Sequence, residues 1–263
     1  MNELIYVYCI SDNAPRVDNQ LESMGLESLK IANYFVNVRK VSDREFSEEN
    51  LKIHLSDFQW LEIHVREHLE IINKIMESCT VIPFKFGTIY YSIESLEKFI
   101  NDNSDSLREN FEHLTGMEEW SVKIYCDRNL LSKKIDELSV EAAILAKQIL
   151  ESSPGKAFLL NKKKLDLIEN EMDRLCNQYG QEYFEEIKNL CVSTHLGNIL
   201  PKEFSGREDT MILNASFLVR AEMVIDLRNH LIGMSEKVGN SGFAIEVTGP
   251  WPPFSFISIK DYS

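Results

Sequence analysis

The segment TGPWPPFSFI, residues 248–257, restricts the backbone of this chain more than any other stretch of the sequence. Pro250, Pro252 and Pro253 each fix their φ angle near about −65° and push the preceding residue toward extended geometry. The segment carries no charge, although 27% of the chain is charged. We therefore predict a stiff, apolar, polyproline-like arm that has little conformational entropy left to lose when it becomes ordered.

Two roles fit such an arm. Either it lies across its own domain as a packed lid, with Trp251 filling a pocket, or it presents Trp251, Phe254 and Phe256 to another protein. The composition favours the lid, and the docking element stays open as the alternative. The candidate residues for either role are Gly249, Pro250, Trp251, Pro252, Pro253 and Phe254.

The first half of the chain alternates between strand and helix patterns. β-Branched and aromatic residues predict a strand over residues 4–10 and one further extended stretch over residues 29–41. Apolar residues at spacings of three and four predict a helix with one core-facing side over residues 57–78. A short buried strand over residues 80–91, further helix and an alternating strand over residues 119–127 complete the order.

The second half begins with two helical stretches, residues 129–152 and 158–195, which are separated by SSPGK and predict a helical hairpin. A strand, a helix and a closing strand follow over residues 210–249. These patterns predict an α+β protein of two domains. Residues 1–127 form a ferredoxin-like α/β sandwich with elaborated strands, and residues 128–263 form a C-terminal α+β domain with the long helical hairpin, a strand-helix-strand unit and the arm.

The net charge of the chain limits which classes of partner we expect it to bind. Asp and Glu number 42 and Lys and Arg number 28, which gives a formal net charge of −14. This charge repels phosphate backbones, so we expect no nucleic-acid partner. The chain has no basic leader and no apolar run that approaches about 18 residues. We therefore expect a soluble, cytoplasmic protein without a membrane span.

The sequence lacks the motifs of the common catalytic and cofactor sites. It has no G-x-S-x-G nucleophile motif, and Gly155-Lys156 lacks the other residues of a phosphate-binding loop. Five widely spaced cysteines without a C-x-x-C pair predict buried thiols rather than a disulfide framework or a zinc knuckle. We therefore expect no catalytic residues, no cofactor and no small-molecule substrate.

His64 and His68 are weak candidates for a metal site. They stand four residues apart on the predicted helix, so both rings could reach one ion from successive turns. The order here is H-V-R-E-H, however, and the zincin motif needs glutamate directly after the first histidine. His68 also falls on the apolar face, where a hydrogen-bonded core histidine is the commoner outcome. A metal-dependent enzyme that uses His64 and His68 stays as the alternative function.

The VIPFKFGT segment, residues 81–88, is the second unusual cluster of proline, glycine and aromatic residues. Pro83 cannot donate to a sheet ladder and predicts a strand start, an edge or a bulge. Gly87 predicts either a positive φ angle or close backbone approach. Phe86 in this segment and Trp120 on the alternating strand complete the set of candidate structural or partner-contact residues.

Six segments of the chain resemble, in order, those of the gas vesicle protein F/L family. The segments are Y-V-Y in the first strand, VIPFKFGTIY, EEWSVKIYCD, SPGK followed by KKKLDLIE, LNASFL and EVTGPWPPFSFI. The long VIPFKFGT and TGPWPPFSF elements carry most of the resemblance, and the EEWSVKIYCD and SPGK…KKK segments favour the L-type branch. Cys9 stands where the family commonly has glycine.

The resemblance implies an accessory protein of gas vesicle formation with two α+β domains and no enzymatic activity. It implies a role in nucleating or assembling the vesicle shell, either free in the cytoplasm or associated with the vesicle. The implied partners are the small hydrophobic shell protein and other gas vesicle accessory proteins. The absence of a recognisable catalytic motif agrees with this expectation.

Overall fold

The computed structural model describes residues 3–16, 18–238 and 242–259, with the side chains of Ser205 and Val238 left out of the description. The chain divides into two compact units. The first unit combines Met1–Glu119 with Pro250–Ser263, and the second is Trp120–Gly249. This division differs from the predicted boundary after residue 127, and it groups the proline-rich arm with the first unit instead of the second.

The first unit contains five strands and six helices within its described residues. The strands are β1 (Glu3–Ser11), β2 (Glu27–Ile31), β3 (Tyr34–Ser42), β4 (Val81–Pro83) and β5 (Ile89–Tyr90). The helices are α1 (Asn19–Ser23), α2 (Asp43–Phe46), α3 (Glu48–His54), α4 (Phe58–Met76), α5 (Ile93–Asp102) and α6 (Ser104–Leu114).

The sheet of the first unit has the strand order β4-β1-β3-β2, and β5 pairs with β1 beside β4. Each of these neighbouring pairs is antiparallel. This is the order of a ferredoxin-like sandwich, so the fold predicted for the N-terminal part of the chain is present. The central strand β1 is buried from Leu4 to Ser11, because sheet neighbours lie on both sides and helices cover it. Ile71, Ile72 and Ile75 of α4 pack against β1 in the core.

The second unit is built around a four-stranded sheet with the order β7-β8-β6-β9. Its strands are β6 (Met117–Cys126), β7 (Ser193–Leu196), β8 (Thr210–Arg220) and β9 (Phe243–Trp251). Its helices are α7 (Arg128–Leu138), α8 (Val140–Leu150), α9 (Pro154–Lys188), α10 (Lys202–Ser205) and α11 (Val224–Val238). The core holds Ile124, Ile187, Phe217 and Leu227, none of which has exposed surface.

Four predicted elements are divided or shortened in the structure, and local chemistry explains where. The extended stretch over residues 29–41 is a hairpin of β2 and β3, with a turn at Ala32 whose φ angle is +53°. This turn contains no glycine, so the sequence pattern gives no signal for it. The strand predicted over residues 80–91 is two short strands, β4 and β5, since the backbone turns at Gly87 with a φ angle of +81°.

The helix predicted over residues 129–152 is two helices, α7 and α8. Ser139 separates them, because its side chain accepts a hydrogen bond of 3.2 Å from the Ala142 N–H and so caps the start of α8. The helix predicted over residues 158–195 begins earlier, at Pro154, and ends at Lys188. The following residues turn and form strand β7, which pairs antiparallel with β8.

None of the helices in the described parts of the chain is long and apolar enough to cross a membrane. The longest, α9, has 35 residues but carries charged side chains along its whole length.

Candidate functional site

A continuous chain of hydrogen bonds runs through the Tyr6 hydroxyl and the His68 ring. Strand β1 places Tyr6, helix α4 places His68, and the segment after β4 supplies Phe84 and Gly87. The Gly87 N–H lies 3.1 Å from the Tyr6 oxygen, and that oxygen lies 2.9 Å from His68 Nδ1. His68 Nε2 lies 3.0 Å from the Phe84 carbonyl oxygen.

The partners determine which ring nitrogen of His68 carries the proton. A carbonyl oxygen only accepts, so Nε2 donates to Phe84, and the bare Nδ1 of the neutral ring accepts from Tyr6. The Tyr6 oxygen in turn accepts from the Gly87 N–H. His68 is 2% exposed, and burial lowers its pKa to about 4. Burial likewise raises the pKa of Tyr6 well above its ordinary value. Both side chains in this chain of bonds, Tyr6 and His68, are therefore neutral and paired near pH 7.

This geometry assigns His68 a structural role rather than a metal-binding one. Both of its ring nitrogens already have partners inside the protein. His64 lies on the same helix, but its Nδ1 is 2.8 Å from the Trp60 carbonyl oxygen and its ring stacks on Trp60 at 3.9 Å. Across the described residues there is no group of three or more His, Cys, Asp or Glu side chains that could hold a metal ion.

The VIPFKFGT segment lies against the same core as His68. Pro83 ends strand β4, opposite Cys9 of β1, and is buried. Gly87 has a φ angle of +81°, and a Cβ atom there would lie 3.3 Å from Leu51 Cδ2. Both the positive φ angle and the close approach of a neighbouring side chain therefore favour glycine at this position. Phe86 packs against this core, and its ring lies edge-on to His68 at 5.8 Å.

The arm is not one extended polyproline-like segment as predicted, because residues 248–251 belong to strand β9 and Phe254–Phe256 form a 3₁₀ helix. Its part from Pro250 onward packs on the first unit. Pro252 and Pro253 are buried, and Phe254 contacts the core that holds Tyr6 and β1. Trp251 is 38% exposed, so it does not fill an enclosed pocket as predicted for a lid, and Pro250 lies at the surface.

Two buried polar side chains of the first unit hold the arm. Glu119 is 5% exposed, and its carboxylate accepts hydrogen bonds from the Ser255 N–H at 3.1 Å and the Ser255 hydroxyl at 2.6 Å. Asn110 accepts from the Ser258 N–H at 2.9 Å and donates to the Ser258 carbonyl oxygen at 3.0 Å. These paired bonds satisfy the backbone of the arm and fix its register on the first unit.

The remaining predicted residues lie in the second unit. Trp120 is 4% exposed in the core of that unit, and the Arg228 guanidinium lies 5.1 Å from the centre of its ring. Gly249 has a φ angle of +145°, which an L-residue rarely adopts. The structure therefore brings Pro83, Phe86, Gly87 and Phe254 to one core and places Trp120 in another.

Sequence reasoning missed Tyr6, Asn110 and Glu119. The period-two pattern of β6 places Glu119 on the face opposite Trp120, which suggests solvent, but both residues are buried. The signal that could have identified Glu119 is the arm itself, since a proline-rich segment cannot supply its own hydrogen-bond partners and needs side chains elsewhere.

We expect Tyr6→Phe to lower the free energy of unfolding by about 1–3 kcal/mol, because it leaves His68 Nδ1 and the Gly87 N–H buried without a partner. Urea denaturation followed by circular dichroism measures the change. Tyr91→Phe is the matched control, since Tyr91 is 76% exposed and the same change there should cost less than about 0.5 kcal/mol. Equal stability of Tyr6→Phe and wild type would show that the hydroxyl does not connect the three elements.

We expect the stability of the protein to fall as the pH falls from about 6.5 to about 4, since the unfolded chain takes up a proton on His68 in this window and the folded chain does not. The stabilisation is complete above the unfolded pKa, and roughly 3 kcal/mol is lost across the window. His68→Gln keeps an acceptor and a donor but cannot titrate, so its urea midpoint should depend less on pH than that of the wild type. The exposed His113→Gln should keep the pH dependence of the wild type, and an unchanged slope for His68→Gln would contradict the assignment.

Comparison with known proteins gives one consistent result. Residues 4–258 match the family model described as gas vesicle synthesis protein GvpL/GvpF. Gas vesicle protein L of a Streptomyces species is 24% identical to this chain over 82% of this chain and 77% of that protein.

Two crystal structures share the fold. Gas vesicle protein GvpF from an Anabaena species superposes with a TM-score of 0.70 at 19% identity, covering 98% of this chain and 99% of that one. GvpF from Microcystis aeruginosa gives a TM-score of 0.67 at 18% identity, covering 98% and 100%. The named relative is an L protein and both structures are F proteins, so the L-type branch stays a prediction. The family match extends from β1 to the end of the arm, and this chain belongs to the GvpL/GvpF family of gas vesicle synthesis proteins.

Proposed function

We propose that this protein is an accessory factor of gas vesicle formation that acts without catalysis, by nucleating or assembling the shell in the cytoplasm. The observation that carries the proposal is membership of the GvpL/GvpF family over residues 4–258. Because the match includes both units and the arm, the proposal concerns the whole chain rather than one shared domain.

The chemistry of the buried polar groups supports a non-catalytic role. His68 has a lowered pKa and lies near a tyrosine, which are features of many active sites. Here, however, each polar atom of the Tyr6–His68 chain already has an internal partner, so the groups stabilise the fold and have no capacity left for a substrate. The alternative of a metal-dependent enzyme at His64 and His68 has no support in this geometry.

Exposed apolar side chains on an acidic body support binding of the hydrophobic shell protein and other accessory proteins. Large apolar residues are exposed in both units, among them Tyr91 at 76%, Phe204 at 79% and Ile225 at 71%. Such side chains give apolar docking surface, while the net charge of −14 keeps the protein in solution. This combination suits a factor that binds hydrophobic subunits before they add to a growing shell.

We expect loss of flotation when the gene is deleted from a vesicle-forming host, and recovery when the intact copy is returned. Buoyancy of the cells and electron microscopy of vesicles provide the measurement. A deletion strain that floats normally would place the protein outside the pathway.

For the arm we propose the role of a lid rather than a docking element, because Pro252, Pro253 and Phe254 face the core of the first unit. We therefore expect Phe254→Ala to lower the free energy of unfolding by about 2 kcal/mol, and by more than Trp251→Ala does. Folded Trp251→Ala should capture the shell protein as well as the wild type in a pull-down. If Trp251→Ala stays folded but loses the shell protein, the arm is a docking element.

A further inference from the structure

The part of the helical hairpin around the loop between α8 and α9 has a positive net charge, whereas the chain as a whole is acidic. Residues 144–165, the end of α8 and the start of α9, contain five lysines and one acidic residue, while the rest of the chain contains 41 acidic and 23 basic residues. Lys162 and Lys163 are exposed, and no ion pair involves either of them within the described structure. Lys164, in contrast, is 18% exposed and pairs with Asp136 at 2.6 Å. We call residues 144–165 the hairpin tip.

Large apolar side chains are exposed on the same segment. Leu150 is 87% exposed, Phe158 is 72% exposed and Leu165 is 68% exposed. Phe158, Lys162 and Leu165 follow one another at spacings of four and three, so they form one stripe along α9. A stripe with both apolar and basic side chains is suited to a partner surface that is apolar and acidic.

A surface of that kind exists in the first unit. Residues 43–63, which run from α2 through α3 into α4, contain six acidic and two basic residues. Ile53 is 64% exposed, Phe58 is 77% exposed and Ile63 is 64% exposed. We call residues 43–63 the acidic patch. It carries the exposed acidic side chains Glu49 and Glu62, and Glu62 also pairs with Arg66 one turn further along α4 at 2.8 Å.

We propose that copies of this chain associate head to tail, with the hairpin tip of one copy docked on the acidic patch of the next. Exposed apolar side chains on both surfaces leave water together, and Lys162 and Lys163 face Glu49 and Glu62. The two surfaces differ from each other, so each contact joins the hairpin tip of one copy to the acidic patch of another. This self-association does not depend on the proposed function.

A second copy explains the two surfaces better than an anionic membrane does. A membrane would cover only the hairpin tip, and it would repel a chain whose net charge is −14. A second copy covers both apolar surfaces with one type of contact and joins opposite charges within it.

Charge reversal tests the proposal in the full-length chain. The first variant carries Lys162→Glu and Lys163→Glu, and the second carries Glu49→Lys and Glu62→Lys. Sedimentation velocity and light scattering over a range of concentrations give the mass. The wild type should rise above the monomer mass of 30.4 kDa with concentration, and raising the salt should reverse this rise. Each variant alone should associate at least about tenfold more weakly, because the substituted side chains then face side chains of their own sign.

The equimolar mixture of the two variants is the decisive sample. The glutamates introduced in the tip of one variant face the lysines introduced in the patch of the other, and the unchanged surfaces also match, so the mixture should associate as the wild type does. Lys98→Glu with Lys237→Glu is the matched control, since it changes the net charge equally at exposed lysines outside the hairpin tip. This control should associate normally. Circular dichroism confirms that every variant is folded.

Phe158→Ala tests the apolar part of the contact without a change of charge, and it should weaken association at any salt concentration. The proposal is wrong if the wild type is monomeric at the highest concentration reached, if either reversed variant associates like the wild type, or if the mixture stays monomeric. A monomeric wild type that sediments with phosphatidylserine vesicles through Lys162 and Lys163 would identify a membrane as the occupant instead.

Discussion

The hydrogen bonds through Tyr6 and His68 connect the three elements on which the first unit depends. They join the central strand of the sheet, the long helix that covers it and the VIPFKFGT segment, which turns at Gly87 after strand β4. Desolvation makes each of these groups costly to bury alone. Together they satisfy one another, and for that reason the ring of His68 stays neutral and the turn at Gly87 has a fixed position against the core.

Near the C-terminus, the arm is also held by buried polar groups that satisfy one another. Its prolines cannot donate hydrogen bonds, so its attachment depends on apolar packing of Phe254 and on the few N–H groups that remain. Glu119 and Asn110 provide buried acceptors for two of those groups, at Ser255 and Ser258. A segment whose prolines fix φ and whose position is set by two polar anchors orders at low entropic cost, which agrees with a stabilising lid.

The described residues combine paired polar groups in the core with exposed apolar side chains. The polar atoms of Tyr6 and His68 have internal partners, whereas large apolar side chains remain in contact with solvent on α4 and on the helical hairpin. Chemistry on a substrate needs unpaired polar groups in a pocket, and assembly needs apolar surface on the outside. These features agree with the proposed role in assembly, and the opposite charges of the hairpin tip and the acidic patch extend that proposal to copies of the chain itself.

The sequence alone determined those features that depend on neighbours along the chain. Periodicity predicted helix α4 to within two residues at each end, and Pro83 and Gly87 indicated a strand end and an unusual backbone conformation. Steric limits on φ and the spacing of apolar side chains are local properties, so they can be read from local sequence. The turn at Ala32 and the cap at Ser139 are also local, but they use residues that are common in other settings and were missed.

Only the tertiary structure decided which residues meet across the chain. Tyr6 and His68 are 62 positions apart, and Ser255 and Glu119 are 136 positions apart. No periodic pattern encodes such pairs, because their contact depends on how the strands and helices pack. The same packing places the arm on the first unit, although the sequence order assigns it to the second half. It also makes His68 a core residue, since burial and its two partners, rather than its spacing from His64, determine what its ring can bind.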